Sequence, residues 1–286
     1  MSFSDRQTVG NMFHGTILPD FGNIWRELQM TWEGGENCRV SDDETEKKFW
    51  RQYISQHGPT GPDPYSRTVW KEINNLLGDT HYGSILEIGP GWGNYTFDLA
   101  EHCVQLTCVD ISPTILRFIK DIGSEHVYQI ATENTKWEDF KEQKFDVVFG
   151  FNCFYRMKDI ENCLAKIDRC GTKLHMIGMT SGPEQEFLID FEKELGLQIR
   201  YHRLDYIVLI NVLYQMGIDC NVRIVDLEKE YSFASLDSAL ARFSRRIITK
   251  EYDPEEAKKI MKRYFHKTDD GFYHYIHHFK GALIYW

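Results

Sequence analysis

Residues 84–96 read Ser-Ile-Leu-Glu-Ile-Gly-Pro-Gly-Trp-Gly-Asn-Tyr-Thr. A short apolar run ends at an acidic residue, and glycines then occupy every second position, at Gly89, Gly91 and Gly93. The apolar run predicts a buried strand that stops at a turn. Glycine allows positive φ and lets a ligand approach the main chain closely. A plain glycine-rich turn would have the same composition. The residues after Thr96 are therefore needed to decide whether this loop binds a ligand or is a simple turn.

A second strand-like segment comes next in the chain, and it also ends in an acidic residue. Residues 103–110 read Cys-Val-Gln-Leu-Thr-Cys-Val-Asp, and Asp110 comes 17 residues after Gly93. Nucleotide-binding βαβ units place an acidic residue about 20 residues past the glycines, where it accepts hydrogen bonds from the ribose. Ser112 and Pro113 then begin a predicted helix, since serine caps helices and proline suits their first position.

The spacing of the glycines separates two cofactor classes. A dinucleotide site favours G-x-G-x-x-G, but Asn94 stands where that pattern has its third glycine. The order here is Glu87-x-Gly89-x-Gly91-x-Gly93. With Asp110 at the end of the second strand, the chain resembles class I S-adenosylmethionine-dependent methyltransferases. The resemblance extends over residues 83–180, and more loosely over the strand-rich C-terminal part.

The resemblance implies an α/β fold. We expect a Rossmann-like, seven-stranded, mostly parallel sheet with helices on both faces, an N-terminal helical cap and an inserted or elaborated C-terminal region. Residues 1–62 are predicted to form the cap or lid and 63–286 the methyltransferase domain, with substrate-binding elements within 183–266. An aromatic stripe that includes Trp50 and Tyr53 suits a lid and a plain cover of the sheet equally well. The third strand is predicted at residues 127–130, the fourth at 145–151, and a closing antiparallel pair at 272–279 and 282–286.

S-adenosylmethionine is the cofactor that the resemblance implies. The glycine loop would hold its amino-acid end and Asp110 its ribose, with Ile111 beside the adenine. The family often has an aspartate in the loop after the third strand; that aspartate is absent here, and Thr132 or Glu133 stands in its place. The residues predicted to bind the cofactor are Glu87, Gly89, Pro90, Gly91, Gly93, Asp110, Ile111, Thr132, Glu133 and Asn152.

The segment after the fourth strand is predicted to face the transferred methyl group, because ligands of open α/β sheets bind beyond the carboxyl ends of the strands. Tyr155 and Asn152 are the catalytic candidates. The substrate or lid candidates are Tyr65, Arg67, Cys153 and Arg156. The general base stays open among Tyr155, Cys153, His14 and His81. Residues 152–155, Asn-Cys-Phe-Tyr, lack both prolines of the Asn/Asp-Pro-Pro-Tyr/Phe motif found in some methyltransferases of exocyclic amines.

The composition of the chain limits the classes of molecule that we expect it to bind. The net charge of the 286 residues is −10, which argues against a nucleic-acid partner. The arginines at 242, 245 and 246 are more typical of a solvated helix face. Seven scattered cysteines without a Cys-x-x-Cys motif suit a reducing cytoplasm. Because we see neither a signal peptide nor a membrane span, we expect a cytoplasmic protein without a membrane partner.

No metal site is predicted. His274, His277 and His278 alternate on a predicted strand, so they cannot converge on one ion from that strand alone. The sequence leaves open whether the chain forms a homodimer. We therefore expect methyl transfer to the O, N, S or C atom of a small-molecule acceptor. The alternative is a regulatory protein that binds S-adenosylmethionine or S-adenosylhomocysteine without turnover, and the glycine spacing disfavours a dinucleotide oxidoreductase.

Overall fold

The computed structural model describes residues 19–33, 39–57, 63–201 and 205–286. These residues fall into two compact units. The first takes its residues from 1–180, 204–225 and 281–286, and the second from 181–203 and 226–280. No helix in the described ranges is both long enough and apolar enough to cross a bilayer.

The helices and strands alternate along the chain in an α/β order. The helices are α1 (Phe21–Glu33), α2 (Asp43–His57), α3 (Ser66–Leu77), α4 (Thr96–Glu101), α5 (Pro113–Glu125), α6 (Ile160–Cys170), α7 (Glu186–Leu195), α8 (Tyr206–Gln215), α9 (Leu236–Ser244) and α10 (Pro254–Met261). The strands are β1 (Tyr82–Ile88), β2 (Cys103–Asp110), β3 (Ile130–Asn134), β4 (Phe145–Phe151), β5 (Gly171–Ser181), β6 (Asn221–Phe233), β7 (His266–Lys267) and β8 (Tyr273–Tyr285).

The sheet has the strand order β3-β2-β1-β4-β5-β8-β6, and β7 pairs with β8 beside this path. Strands β1 to β5 are joined by parallel pairings. His175 of β5 and Trp286 exchange both backbone hydrogen bonds, at 3.0 and 3.2 Å, which is the pattern of an antiparallel pair. The predicted Rossmann-like, mostly parallel sheet is confirmed. Since β1 lies between β2 and β4, the loops that come after these three strands leave the same edge of the sheet.

Two strand boundaries were predicted wrongly. The third strand covers Ile130–Asn134 rather than residues 127–130. Val127 is 81% exposed and has φ +63°, and Tyr128 N–H bonds back to Gly123 O at 3.0 Å. This backbone reversal is a helix C-terminal motif, so Val127 ends α5 rather than beginning a strand. The expected closing pair at 272–279 and 282–286 is one continuous strand, β8, because Lys-Gly at 280–281 does not break the ladder.

The N-terminal helices belong to the core of the first unit. Trp25 of α1 is fully buried and donates its indole N–H to Met157 O at 2.8 Å. Helix α1 packs against α6 and α8, and α2 packs against α5. The second unit has an aromatic core of its own around Phe187, which contacts the rings of Phe243 and Tyr275 at centroid distances of 4.9 and 5.3 Å. The domain boundary at residue 62 stays a prediction.

Candidate cofactor site

The glycine loop after β1 has left-handed backbone at three positions: φ is +62° at Gly89, +54° at Gly91 and +90° at Gly93. A Cβ at Gly89 would lie 2.5 Å from the Cβ of Cys153, in the loop after β4. Glycine is therefore required at this position for two reasons, the backbone conformation and the close approach of the neighbouring loop.

Glu87 is the second-last residue of β1 and is buried, with 1% of its surface exposed. Its Oε2 accepts a hydrogen bond from the hydroxyl of Thr96 at 2.7 Å and lies 3.6 Å from the Cys108 thiol. These contacts fix the first residue of α4 to the end of β1. Burial raises the pKa of Glu87 to about 7, and the two hydrogen bonds only partly oppose it. That Glu87 binds the cofactor stays a prediction.

This raised pKa predicts a pH dependence of stability. The carboxyl of Glu87 keeps its proton up to about pH 7 in the folded state but loses it near pH 4.5 when unfolded. The contribution of Glu87 to the free energy of unfolding is therefore fully present below pH 4.5 and is lost as pH rises through 7. We expect Glu87→Gln to remove about 1–3 kcal/mol from the fall in unfolding free energy between pH 5 and pH 8, measured by urea unfolding.

Glu125→Gln is the control. Because Glu125 is exposed, this change should leave the fall in unfolding free energy between pH 5 and pH 8 unchanged. Some pH dependence should remain in Glu87→Gln, because Asp110 also has a pKa of about 7. Parallel stability curves for wild type and Glu87→Gln would show that Glu87 ionises normally in the folded protein.

Asp110 ends β2 at the edge that the glycine loop shares. Its Oδ1 accepts from the backbone N–H of Ser112 at 2.7 Å, and the Ser112 hydroxyl caps α5 by accepting from Ile115 N–H. Burial raises the pKa of Asp110 to about 7, and the negative charge of Glu46 adds to this rise. Ile111 is the next residue and is half-buried. A carboxylate at a strand end, beside a capped helix, is positioned to accept hydrogen bonds from a diol.

The loop after β4 begins at Asn152, which has φ +56°. Its Oδ1 accepts from the N–H and the hydroxyl of Thr180 at 2.8 and 3.3 Å. Burial and Asp63 raise the pKa of the Tyr65 phenol, and a hydrogen bond with the Asn152 side chain only partly opposes this rise. The side chain of Asn152 thus connects β4, β5 and the residues that precede α3.

Asp63 connects this group to the glycine loop. Its N–H donates to Asn94 Oδ1 at 2.8 Å, and Asn94 Nδ2 donates to Asp63 Oδ2 at 3.1 Å. The indole N–H of Trp92 also donates to Asn94 Oδ1, at 3.0 Å. Tyr95, the next residue along the chain, packs its ring on β4 and is 4% exposed. Its hydroxyl is buried without a hydrogen-bond partner among the described residues.

Helix α2 lies across the glycine loop. The ring of Trp50 comes within 3.3 Å of the position of a Cβ on Gly91, and Tyr53 contacts the ring of Trp92 at a centroid distance of 4.8 Å. The aromatic stripe predicted at 49–54 therefore faces the loop. That the stripe acts as a lid stays a prediction.

Buried Glu46 fixes α2 in that position. Its carboxylate accepts from Arg39 Nε at 2.6 Å, from the Trp50 indole at 2.8 Å and from the Tyr155 hydroxyl at 2.7 Å. Burial and the charge of Glu46 raise the pKa of Tyr155, so this phenol keeps its proton at neutral pH. Arg156 donates to Asp43 at 2.6 Å. Both residues after β4 thus contact α2, and their predicted catalytic and substrate roles stay predictions.

The remaining predicted residues have other surroundings, except Cys153, which lies against Gly89. Arg67 forms an exposed ion pair with Asp98 at 2.9 Å. Burial raises the pKa of the Cys153 thiol. Thr132 is half-buried and Glu133 is exposed, both within β3.

Of the two histidine candidates for the base, His81 is not at this edge of the sheet. His81 precedes β1, so it stands at the opposite end of the strand, roughly 20 Å from the glycine loop. His14 lies outside the described residues.

Sequence reasoning missed Glu46, Asp63 and Tyr95 as site residues. Glu46 lies on a helix far along the chain from β4, and no local pattern marks it. Tyr95 had a signal, since it stands two residues after Gly93, the last glycine of the loop. Asp63 meets Asn94 across 31 residues of sequence, and no local pattern indicates that contact.

Residues 86–172 match the family model described as a methyltransferase domain. The chain contains a class I S-adenosylmethionine-dependent methyltransferase domain. It is 30% identical over 82 residues to an rRNA adenine N-6-methyltransferase from Limosilactobacillus reuteri, a match that covers 27% of this chain and 34% of that protein. The chain thus spans about a third of that relative.

Among solved structures, the methyltransferase domain is similar in fold to the YcgJ protein from Bacillus subtilis. That match has a TM-score of 0.51 and 13% identity, and covers 75% of this chain and 95% of YcgJ. The N-methyltransferase NodS from Bradyrhizobium japonicum, in complex with S-adenosylhomocysteine, matches with a TM-score of 0.44 and 13% identity over 92% of this chain and 97% of NodS.

The residues of the methyltransferase domain fit S-adenosylmethionine. Asp110 offers a carboxylate for a ribose diol, and left-handed Gly91 exposes its backbone without a side chain. The orphaned hydroxyl of Tyr95 is a buried polar group that a bound polar ligand would satisfy. These are the groups needed to hold the two polar ends of the cofactor.

Proposed function

We propose that this protein transfers the methyl group of S-adenosylmethionine to a small-molecule acceptor. The observation that carries the proposal is the position of Trp50 and Tyr53, which cover the glycine loop from α2. A covered, aromatic-lined site suits a small acceptor better than an extended polymer. When bound, the cofactor would supply an electrophilic methyl group on a cationic sulfonium: an O, N, S or C nucleophile of the acceptor would attack the methyl carbon in line, the carbon–sulfur bond would break, and S-adenosylhomocysteine would leave.

The chain's own contribution would be binding, alignment and exclusion of water. Gly89, Gly91 and Gly93 would hold the amino-acid end of the cofactor, and Asp110 would accept hydrogen bonds from its ribose. Helix α2 would close over both. Asn152 would keep the loop after β4 in place through its bonds to Thr180.

Two observations support a small molecule over RNA, although one relative is named an rRNA methyltransferase. The net charge is −10, whereas binding a phosphate backbone needs a positive surface. The side chains of Asn152 and Tyr155 are also engaged within the protein, with Thr180 and Glu46 respectively. The match to the rRNA methyltransferase covers 82 residues, too few to carry over its acceptor.

The same engaged side chains favour a second candidate function, binding of the cofactor without turnover. Calorimetry with S-adenosylmethionine and S-adenosylhomocysteine tests the feature that both functions share, and absence of binding would reject both. Incubation of the protein with methyl-labelled cofactor and a metabolite extract separates them. Label in a product of low molecular mass supports transfer, and label in added RNA would reject a small-molecule acceptor.

Asp110→Asn is expected to weaken S-adenosylhomocysteine binding about 10- to 100-fold. The change replaces a charge-assisted acceptor of hydroxyl hydrogen bonds with a neutral amide, a loss of about 1.5–3 kcal/mol. Asparagine can still accept from Ser112 N–H, so the local fold should survive. Isothermal titration calorimetry measures the change, and Asp121→Asn, an exposed residue of α5, is the matched control. Equal affinities in all three proteins would show that Asp110 does not bind the ribose.

A further inference from the structure

Glu186, Tyr275 and His277 form a hydrogen-bonded chain within the second unit. The hydroxyl of Tyr275 donates to Glu186 Oε2 at 2.7 Å, and the same phenol oxygen lies 3.4 Å from His277 Nδ1. Tyr275 and His277 are two residues apart on β8, so their side chains share one face of the strand. The chain thus connects the first turn of α7 to the imidazole of His277.

The direction of these hydrogen bonds fixes which nitrogen of His277 carries the proton. Glu186 is exposed, and an ionised carboxylate can only accept hydrogen bonds. The single proton of the Tyr275 hydroxyl is therefore committed to Glu186, at the shorter of the two distances. His277 must then donate from Nδ1 to the phenol oxygen, and the lone pair of the neutral ring lies on Nε2.

The imidazole of His277 is enclosed by the protein. Only 8% of the residue is exposed, and its ring stacks on that of Phe279 at a centroid distance of 5.3 Å and an interplanar angle of 9°. Burial disfavours the charged imidazolium, and it lowers the pKa of His277 below the ordinary histidine value.

Charged and titratable neighbours act on His277 in both directions. The carboxylates of Glu184 and Glu186 raise its pKa, whereas His278 and Arg246 lower it, and burial is the largest influence. Arg246 and Glu184 also form an ion pair with each other at 2.6 Å. His277 is therefore neutral at pH 7, with the lone pair of Nε2 available.

Two buried side chains in this region carry a hydrogen-bond acceptor without a partner. Within the described part of the second unit, residues 181–201 and 226–280, Nε2 of His277 makes no hydrogen bond. Oε1 of Gln185, the residue before Glu186, is also without a donor there, although Gln185 is only 7% exposed. Unpaired acceptors cost free energy when they are buried. Both would be satisfied by a ligand that donates hydrogen bonds.

We propose that His277 is a general base whose Nε2 takes a proton from a hydroxyl or ammonium group of the small-molecule acceptor. The inference rests on the proposed function, because it names the group that would prepare the acceptor for methyl transfer. The O–H or N–H bond breaks, the Nε2–H bond forms, and the electron pair left on oxygen or nitrogen becomes the nucleophile. The imidazolium keeps its Nδ1 hydrogen bond to Tyr275, which is bonded to the Glu186 carboxylate. Tyr275 and Glu186 are thus positioning residues.

A general base selects the class of acceptor. A carboxylate or phosphate acceptor already carries a free lone pair at pH 7 and gains nothing from a base. A phenolic hydroxyl or an alkylammonium has a pKa near 10, so it must lose a proton before it can attack a methyl group. The chemistry selected is therefore a phenol or an amine on a small organic molecule.

The tautomer of His277 is tested first, on wild-type protein. Long-range nitrogen–proton correlation NMR spectra of protein with isotope-labelled histidine at pH 8 should show Nδ1 protonated and Nε2 unprotonated. His277→Gln identifies the signal by its absence. In Tyr275→Phe the Nδ1 proton loses its acceptor, and we expect a mixture of both tautomers. A protonated Nε2 in the neutral wild-type ring would overturn the inference.

The role of His277 as a base is tested by the pH dependence of transfer. The rate of label incorporation from methyl-labelled S-adenosylmethionine into a metabolite extract is measured at saturating cofactor, because Asp110 titrates near pH 7. The wild-type rate should fall only below the ordinary histidine pKa of about 6.5. His277→Gln should lower the rate at pH 8 by about 100-fold or more and abolish this fall. Tyr275→Phe should lower the rate by about 3- to 10-fold.

His266→Gln is the matched control, since His266 is an exposed histidine of β7, and it should change neither the tautomer of His277 nor the rate. Binding of S-adenosylhomocysteine by His277→Gln with wild-type affinity shows that this variant is folded. A wild-type rate and pH profile in His277→Gln would overturn the inference. If wild-type protein transfers no label, the proposed function fails, whereas an unprotonated Nε2 would still support His277 as a base.

Discussion

Gly89→Ala is expected to lower the free energy of unfolding by about 2–5 kcal/mol. A non-glycine residue at φ +62° costs about 1–2 kcal/mol. The new methyl group would lie 2.5 Å from the Cβ of Cys153, and forcing extra volume into a packed site costs about 1–3 kcal/mol more. Because Cys153 belongs to the loop after β4, the overlap displaces the two loops that border the cofactor site. Urea unfolding monitored by circular dichroism measures the loss.

Gly196→Ala separates the backbone cost from the overlap. Gly196 follows α7 in left-handed backbone with φ +65°, and a Cβ there meets no atom within 4 Å. This variant should lose only the backbone cost of about 1–2 kcal/mol and should bind S-adenosylhomocysteine as wild type does. Equal losses in the two variants would mean that the loop after β4 moves away from Gly89 without cost.

The glycine loop was predictable because its signal is local. Apolar β1, the acid at its end and the alternate glycines lie within a dozen residues, and each has a direct backbone consequence. The reason why residue 89 must be glycine was only partly predictable. Close approach of a ligand was expected, but the group that approaches its Cβ position is Cys153, and only the parallel pairing of β1 with β4 brings it there.

The rest of the site depends on contacts that local patterns do not contain. Tyr155 meets Glu46 across 109 residues of sequence, and Asp63 meets Asn94 across 31. Tyr65 was predicted as a substrate or lid residue, and the structure gives it a neighbour in Asn152. The third strand was misplaced because the apolar character of Val127 resembles that of a strand, while the backbone there has φ +63° and ends α5.

Glu46→Ala is expected to release α2 from the glycine loop. The carboxylate accepts hydrogen bonds from Arg39, Trp50 and Tyr155, and its loss leaves the guanidinium of Arg39 half-buried without that counter-charge. Breaking a buried ion pair in this way costs about 3–5 kcal/mol. Since the Glu46 carboxylate connects α2 to Tyr155 in the loop after β4, the cost should appear as local opening of α2. Hydrogen exchange should accelerate by about 100-fold or more in residues 43–57 and remain near wild type in β1 and β4.

Glu44→Ala tests whether this effect belongs to the buried carboxylate or to any acid of α2. Glu44 lies in the same helix, its side chain is 73% exposed, and its partner is Lys47, so its removal should cost less than about 1 kcal/mol. Loss of Glu46 should also lower the pKa of Asp110, because the charge of Glu46 raises it. Carboxyl titration by NMR would detect that change even if α2 stayed folded. If exchange in α2 responds equally to both substitutions, the helix is not held by Glu46. If only Glu46→Ala opens α2, closure of this helix and the charge at Asp110 are coupled. Binding at the ribose position would then depend on Glu46, a residue that does not touch the glycine loop.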